Sequence, residues 1–281
     1  MARIKTWEIS DAFWAIVEPL IPTDPREAGK EYARKPGGGR KPKYSNRLFF
    51  SAIVYVLRTG IIWNALPREK FEGVSSAMVH RKFQQWARAG VFRSIWQRGL
   101  AEYDTLEGIA WLWESADGSN IEAPLAEESI GPNPTDRGKK NGTKRHILVD
   151  ENGVPLSLVV SGANRHDSVF LDSLLQNRVV APERTDTPQN LCLDAAYVGK
   201  EDTVVSHGFI PHIRPRGEEK KLIEKDPSFK ARRWVVELAH SWFNRFRKLV
   251  PRYEKTDLSY IALNTLAAAM IVLNKVMTIY R

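Results

Sequence analysis

Three acidic residues of the chain could together hold a divalent cation. Asp117 lies in a segment of alternating residues, Asp194 ends a short apolar run, and Glu237 lies in an amphipathic segment rich in aromatic residues. The acids are separated by 77 and 43 residues. Converging carboxylates repel one another unless a cation neutralises them, and Mg²⁺ or Mn²⁺ prefers oxygen ligands. Two such ions about 4 Å apart support in-line chemistry at a phosphodiester. The pattern therefore predicts that Asp117, Asp194 and Glu237 are catalytic, metal-binding residues.

Each of these acids also has a simpler interpretation. Asp117 followed by Gly118 is typical of a turn, and Asp194 could cap a following helix. Glu237 could form a surface ion pair with Arg233, four residues earlier. Spacing alone does not decide between these interpretations, because a chain with 33 acidic residues offers many triples.

A long helix is predicted around Glu237, over residues 229–253. At 3.6 residues per turn, the segment has one apolar stripe and one polar face. The stripe consists of Trp234, Leu238, Trp242, Phe246 and Leu249. The polar face consists of Arg233, Glu237, His240, Ser241, Asn244 and Lys248.

The charge of the chain favours a polyanionic partner. The 281 residues carry a formal net charge of +9 and the pI is about 9.6, which favours nucleic acid above all. A single cysteine, Cys192, excludes an intrachain disulfide and a cysteine-based zinc site, and it fits a cytosolic protein. The most apolar stretch, residues 260–276, is interrupted by polar residues. We therefore predict a packed helix there and not a membrane span, in a cytoplasmic protein without a signal peptide.

Residues 1–108 are predicted to form an all-helical, DNA-binding domain. A basic loop rich in Gly and Pro, residues 23–43, interrupts it and could act as a linker or lie along phosphates. Ser75 or Ser76 could cap a basic helix, as in a helix-turn-helix motif. The predicted DNA contacts of this half are Arg40, Lys41, Lys43, His80, Arg81 and Lys82.

Residues 109–281 are predicted to form an α/β domain. The order of elements is strand, hairpin of two strands, helix, strand, helix, strand, helix, followed by an apolar C-terminal helix. Asn152-Gly153 marks the hairpin. A mixed sheet covered by helices is the expected packing, with Asp194 at the carboxyl end of its most apolar strand.

Several segments resemble the DDE transposases of bacterial insertion sequences, of the IS-four/IS-five type. In the first half these are FWAIVEPLIP, GRKPKYSNRLFFSAIVYVLRTGIIWNALP and VHRKFQQWARAGVFRSIW. In the second half they are ADGSNIEAP, GTKRHILVDENGVPLSLVVSGANRHDS, LCLDAAYVG and RRWVVELAHSWFNRFRKL followed by RYE. The last is the most specific, because the family carries an arginine four residues before its catalytic glutamate. The related signature is not complete here: Lys230 stands where that family has tyrosine, and Asn244 where it has lysine.

The resemblance implies an RNase H-like fold, dependence on Mg²⁺ (with Mn²⁺ as a substitute), and an Asp117–Asp194–Glu237 triad. It also implies double-stranded DNA partners, the transposon ends and the target, which a homodimer or larger assembly brings together. Predicted phosphate contacts in this half are Lys144, Arg145, Arg214, Arg216, Arg233, Arg245, Arg247 and Lys248. Two alternatives remain: an RNase H-like nuclease that does not join ends, and a DNA-binding regulator without catalysis.

Overall fold

This computed structural model describes residues 7–22, 31, 42–136, 138, 140–182, 188–213 and 234–279. Within those residues the α-helices are α1 (Asp11–Val17), α2 (Asn46–Thr59), α3 (Ser76–Arg88), α4 (Val91–Leu106), α5 (Leu171–Gln176), α6 (Glu201–Ser206), α7 (Trp234–Asn244) and α8 (Asp257–Ile279). The strands are β1 (Trp113–Glu122), β2 (Gly131–Pro132), β3 (Asn141–Asp150), β4 (Pro155–Gly162), β5 (Gln189–Leu193) and β6 (Phe209–Ile213).

Local capping rules fix the ends of the N-terminal helices. The hydroxyl of Ser45 accepts a hydrogen bond from the Leu48 amide at 3.1 Å at the start of α2, and that of Ser75 caps α3 in the same way. Gly60 ends α2 with a φ of +75°, a conformation that glycine adopts without strain. The predicted helical character of this region is confirmed.

The sheet has the RNase H-like arrangement. Its long strands run in the order β4–β3–β1–β5–β6, and the two-residue β2 also pairs with β3. β3 is antiparallel to β1 and β4, whereas β5 is parallel to β1 and β6 is parallel to β5. The predicted hairpin is confirmed: Gly153 has a φ of +74° in the turn, where Asp150 accepts hydrogen bonds from two backbone amides.

Helices cover both faces of this sheet. α5 lies on one face, where the Ser157 hydroxyl of β4 donates to the carbonyl of Leu174. α7 lies on the other face against β1 and β3. α4 packs along α8, so the helical half and the sheet share one hydrophobic core.

The apolar C-terminal helix is a core element. α8 is long and apolar enough to cross a membrane by length and composition, but 72% of its most apolar window is buried inside the protein. Its neighbour α4 provides Trp96, whose indole also donates to the carbonyl of Pro155 at 3.0 Å. The burial of α8 agrees with the predicted packed helix.

Candidate active site at the carboxyl ends of two parallel strands

The register of β1 and β5 places two of the predicted acids side by side. Ser115 of β1 pairs with Cys192 of β5, and Asp117 and Asp194 each follow two residues later. The backbone of Asp194 is still extended, with φ −81° and ψ 177°. Side chains alternate along a strand, so residues two positions after a paired couple point to the same face and lie at the same level along the strands. Neighbouring strands lie about 4.8 Å apart. Asp117 and Asp194 are therefore adjacent at one edge of the sheet.

Asp194 also caps the turn that follows it. Its Oδ1 accepts a hydrogen bond from the Ala196 amide at 2.9 Å, and a short 3₁₀-helix covers Ala195–Tyr197. The simpler interpretation of Asp194 as a cap is thus observed. One carboxylate oxygen is held by this bond, so the turn orients the group and leaves the second oxygen for another ligand.

Glu237 lies on α7, on the same face of the sheet as Asp117. Arg145 and Asp117 point to the same face, because their positions on β3 and β1 differ by an even number of residues in the register. The Arg145 guanidinium lies 3.3 Å from His240 Nδ1 on α7 and 4.6 Å from the centre of the Phe243 ring. Glu237 precedes His240 by three residues, a rise of about 4.5 Å. The Glu237 side chain itself is exposed.

The buried side of α7 differs from the predicted stripe. Val235, Val236, Ala239, His240 and Phe243 are buried, whereas Trp234 is 55% exposed and Trp242 is only half-buried. The described helix is also shorter than predicted. It ends at Asn244 and a 3₁₀-turn follows at Arg247–Leu249, while residues 229–233 lie outside the described part of the chain. The predicted stripe is wrong at Trp234, because the small residues Val236 and Ala239 allow closer packing on the sheet than tryptophan would. Leu238 and Trp242 are partly buried, and Phe246 and Leu249 are buried as predicted, beyond the end of the helix.

His240 is a neutral, buried element of this site. Burial lowers its pKa well below the usual value, and the positive charge of Arg145 lowers it further. The backbone of Asp117 acts in the opposite direction and raises the pKa of His240. Within the described residues, Nε2 of His240 is buried and has no hydrogen-bond partner of standard geometry. His240 therefore connects α7 to β1 as an uncharged ring.

A second carboxylate supports β1 from the opposite face. A Cβ built on Gly118 would lie 2.3 Å from Oδ1 of Asp167, so this carboxylate packs directly against the backbone next to Asp117. Lys144 Nζ pairs with the same oxygen at 3.0 Å, and His146 Nδ1 lies 3.4 Å from it. Sequence reasoning missed this role of Asp167, because its position five residues after the end of β4 carries no local signal of the contact.

Tyr197 joins the two groups of acids. Its ring is 1% exposed and its hydroxyl is buried without a hydrogen-bond partner. Burial raises the pKa of the phenol well above its usual value, and the charges of Asp167, Asp117 and Asp194 raise it further, in that order. Tyr197 is thus an uncharged phenol close to three carboxylates, and sequence reasoning missed it.

Two of the three predicted carboxylates are placed to hold a divalent cation together. Asp117 and Asp194 are adjacent carboxylates, the ligand type that Mg²⁺ prefers. Across the described ranges, however, no three His, Cys, Asp or Glu side chains lie close enough together to hold one ion. The three predicted acids therefore do not form one three-ligand cluster within the described residues.

Three of the predicted phosphate contacts are buried. Arg145 is 0%, Lys248 3% and Lys144 7% exposed. Lys144 also donates to the carbonyl of Arg165 at 2.9 Å, and Lys248 pairs with Glu254 at 3.3 Å. These side chains have internal partners and little surface to offer a DNA backbone, so the structure does not support their predicted role. Their positive charge suggested a surface position, but alternation along β3 turns Arg145 towards α7.

The remaining predicted contacts fall into three groups. Lys43, Arg81, Arg245 and Arg247 are exposed. His80 and Lys82 are half-buried: the His80 ring packs 5.0 Å from that of Trp63, and Lys82 lies over Trp86 at 5.8 Å. The positions outside the described residues are Arg40, Lys41, Arg214, Arg216 and Arg233.

The fold and its paired aspartates define the chain as an RNase H-like α/β protein with an acidic site at the sheet edge. Residues 115–272 match the family described as "Transposase DDE domain", and residues 9–96 match "Putative transposase of IS4/5 family". The first match covers more than half of the chain. The chain therefore belongs to the DDE transposases, and its N-terminal part is similar to the IS4/5 family.

Two relatives come from Burkholderia cepacia. The "Putative transposase for insertion sequence element IS402" is 32% identical over 133 residues, which is 44% of this chain and 59% of that protein. The "Insertion element IS402 uncharacterized 16.2 kDa protein" is 33% identical over 127 residues, 45% of this chain and 80% of that protein. The chain thus spans about three fifths of the first relative.

Solved structures of the Mos1 mariner transposase are remote neighbours. Its catalytic domain is 9% identical, covering 70% of this chain and 94% of that one, with a TM-score of 0.29. The pre-cleavage Mos1 transpososome is 11% identical, covering 88% and 81%, with a TM-score of 0.28. The assignment of the fold to this chain rests on its strand order.

Proposed function

We propose that this protein cleaves the ends of its own insertion sequence and joins them to target DNA, with Asp117, Asp194 and Glu237 as the ligands of Mg²⁺ or Mn²⁺. The observation that carries the proposal is the register of β1 and β5, which makes Asp117 and Asp194 neighbours beside the helix that carries Glu237. The proposed partners are the double-stranded terminal repeats and target DNA, bound by a homodimer or larger assembly in the bacterial cytoplasm, at the nucleoid.

In this proposal, each residue at the sheet edge has a distinct task. The bound cation supplies activation of the attacking oxygen and neutralisation of the leaving oxygen. The turn at Ala196 orients the Asp194 carboxylate, and Asp167 fixes the backbone next to Asp117 from the opposite face. Tyr197 stays protonated and uncharged beside these carboxylates, because its pKa is raised. Glu237 contributes its carboxylate from the exposed side of α7.

The test uses a labelled DNA fragment that carries one end of the element, with Mg²⁺. Asp117→Asn, Asp194→Asn and Glu237→Gln keep the side-chain shape and remove the charge. We expect each variant to retain DNA binding and to lose both cleavage and joining. Glu127→Gln is the matched control, because Glu127 is 61% exposed and pairs only with the surface residue Lys255. Activity of Glu237→Gln equal to that of the control would refute the triad.

The same assay separates the two alternative functions. Cleavage without joined products would identify a nuclease, and metal-independent DNA binding without cleavage would identify a regulator. The regulator outcome matters because the three acids do not form one three-ligand cluster within the described residues.

A further inference from the structure

A cavity of about 890 Å³ lies where α2, α4, α7 and α8 end close together. Its lining includes Arg58, Tyr103, Trp242, Arg245, Phe246 and Lys275. Trp242 and Phe246 follow Glu237 on the chain by five and nine residues, and none of the three proposed catalytic acids lines the cavity. The cavity is therefore separate from the acidic site at the sheet edge.

Two arginines of this cavity have no acidic partner. Within the described residues, no carboxylate oxygen lies within 4.0 Å of the guanidinium of Arg58 or Arg245. Arg58 is half-buried and stacks on the Phe246 ring at 3.8 Å, and its Nε is buried with no hydrogen-bond partner in the described part of the chain. Burial lowers the pKa of Arg58 to about 10, and the positive charge of Arg245 contributes to this decrease. Two like charges thus lie near each other without a neutralising group.

The two other charged residues that line the cavity, Lys275 and Glu107, interact with each other. Lys275 donates to the carbonyl of Asn152 at 3.1 Å and lies 4.9 Å from the centre of the Trp242 indole. Glu107, the acid of the lining, raises the pKa of Lys275 together with Asp150, against a larger decrease caused by burial. The positive charge of Arg58 and Arg245 therefore remains in excess.

Helix ends do not account for this excess. Arg58 is in the last turn of α2 and Arg245 directly follows α7, so both lie where the helix dipole is negative. The guanidinium of Arg58 also stacks on the Phe246 ring, 3.8 Å from its centre. Neither the helix ends nor this ring carries a full negative charge, so neither neutralises the two arginines. An anion from outside the chain would balance the charge better.

We propose that this cavity binds a phosphate group between Arg58 and Arg245. Guanidinium groups suit phosphate oxygens, since they can donate two parallel hydrogen bonds. The volume is that of typical small-molecule sites, and the Trp242 ring offers a flat surface for an attached nucleoside. The phosphate comes either from a DNA backbone or from a free mononucleotide. Because the cavity joins α2 to α7, the bound phosphate links the N-terminal helices to the helix that carries Glu237.

The test is a binding titration of the full chain in chelator-containing buffer at constant ionic strength. Without divalent metal, the acidic site does not contribute, so the result is independent of the proposed catalytic function. The probes are inorganic phosphate, 5′-dAMP and a 20-base-pair duplex. Arg58→Gln and Arg245→Gln are compared with Arg98→Gln, whose guanidinium is 54% exposed and pairs with Glu102 on the outside of α4.

We expect Arg58→Gln and Arg245→Gln to weaken binding at least tenfold and Arg98→Gln to leave it unchanged. Loss of phosphate and 5′-dAMP binding identifies a free nucleotide as the source, and loss of duplex affinity alone identifies the DNA backbone. Equal affinities of all three variants for every probe would overturn the proposal, as would the absence of binding to any probe.

Thermal unfolding provides a second readout. Without ligand, Arg58→Gln should melt near the temperature of the unmodified protein, because it removes a half-buried charge but also its stacking on the Phe246 ring. The increase in melting temperature caused by phosphate should disappear in this variant. If Arg58→Gln does not fold, the exposed Arg245→Gln carries the test. If phosphate raised the melting temperature of Arg58→Gln and Arg245→Gln as much as that of the unmodified protein, the result would count against the site.

Discussion

Gly118 is the position where a single methyl group should disturb the candidate site most directly. Gly118 follows Asp117 on β1, and a Cβ there would lie 2.3 Å from Asp167 Oδ1, 3.0 Å from His146 Nδ1 and 3.0 Å from Lys144 Cδ. Contacts shorter than 3.0 Å require one partner to move. We therefore predict that Gly118→Ala displaces the Asp167 carboxylate.

The neighbours of Gly118 cannot move at low cost. Asp167 is tied to Lys144 at 3.0 Å, and the His146 ring stacks on Phe170 at 5.1 Å and lies 2.8 Å from the Ser161 hydroxyl. Overpacking in such a site costs about 1–3 kcal/mol. Separating Lys144, which is only 7% exposed, from its carboxylate adds to that cost. We expect Gly118→Ala to reduce the free energy of unfolding by about 2–4 kcal/mol.

The assay is urea denaturation followed by tryptophan fluorescence, together with circular dichroism as a second probe. Gly138→Ala is the matched control, because a Cβ there would meet its nearest neighbour at 3.7 Å, an ordinary contact. A denaturation midpoint of Gly118→Ala equal to that of Gly138→Ala would refute the reasoning.

A double-mutant cycle identifies the cause of the loss. Asp167→Ala removes the oxygen nearest to the new methyl group, so the added cost of Gly118→Ala should be smaller in that background. An equal cost in both backgrounds would show that the clash with Asp167 is not the origin of the destabilisation.

Three further predictions concern other buried and exposed charges. Burial raises the pKa of Glu114 to about 8, although the guanidinium of Arg178, 3.8 Å away, lowers it. The folded protein therefore keeps a proton that the unfolded chain loses near pH 4.5. The free energy of unfolding should fall as pH rises from about 4.5 to 8, by up to about 1.4 kcal/mol per pH unit. Glu114→Gln should flatten this slope in urea titrations at several pH values, and an unchanged slope would exclude Glu114 as its source. Arg252 is fully buried and pairs with Asp257 at 2.8 Å, so Arg252→Leu should cost about 3 kcal/mol or more in the same denaturation assay, whereas a loss below about 1 kcal/mol would contradict a structural role. Arg81 is exposed on α3, and Arg81→Gln should reduce the slope of log affinity against log salt by about 1 in DNA-binding titrations, while an identical slope would remove it from the DNA contacts.

Local patterns were sufficient for most elements of the fold. Ser45, Ser75 and Gly60 act through hydrogen bonds and backbone angles within a few residues, so their sequence positions predict the helix ends. Asn152-Gly153 specifies its hairpin for the same reason. The order of strands and helices then leaves few ways to build the sheet, and the RNase H-like arrangement is among them.

The contacts of charged side chains could not be predicted in this way. Lys144, Arg145 and Lys248 look like surface cations in the sequence, yet all three are buried. Arg145 has a partner far along the chain, Asn244, whereas the partner of Lys248, Glu254, is six residues away. Burial of a cation depends on acceptors that come together only when the strands and helices pack. The same reason explains why Asp167 and Tyr197 were missed.

By itself, the sequence determined the DDE transposase family, the order of elements and the three acids worth testing, because motifs and local periodicity reside in neighbouring residues. Only the tertiary structure decided that Asp117 and Asp194 lie level on parallel strands while Glu237 lies on the exposed side of α7. Only the tertiary structure likewise brought Arg58 and Arg245 together at one cavity. Strand register and helix rotation decide these distances, and both are set by packing between segments distant in sequence.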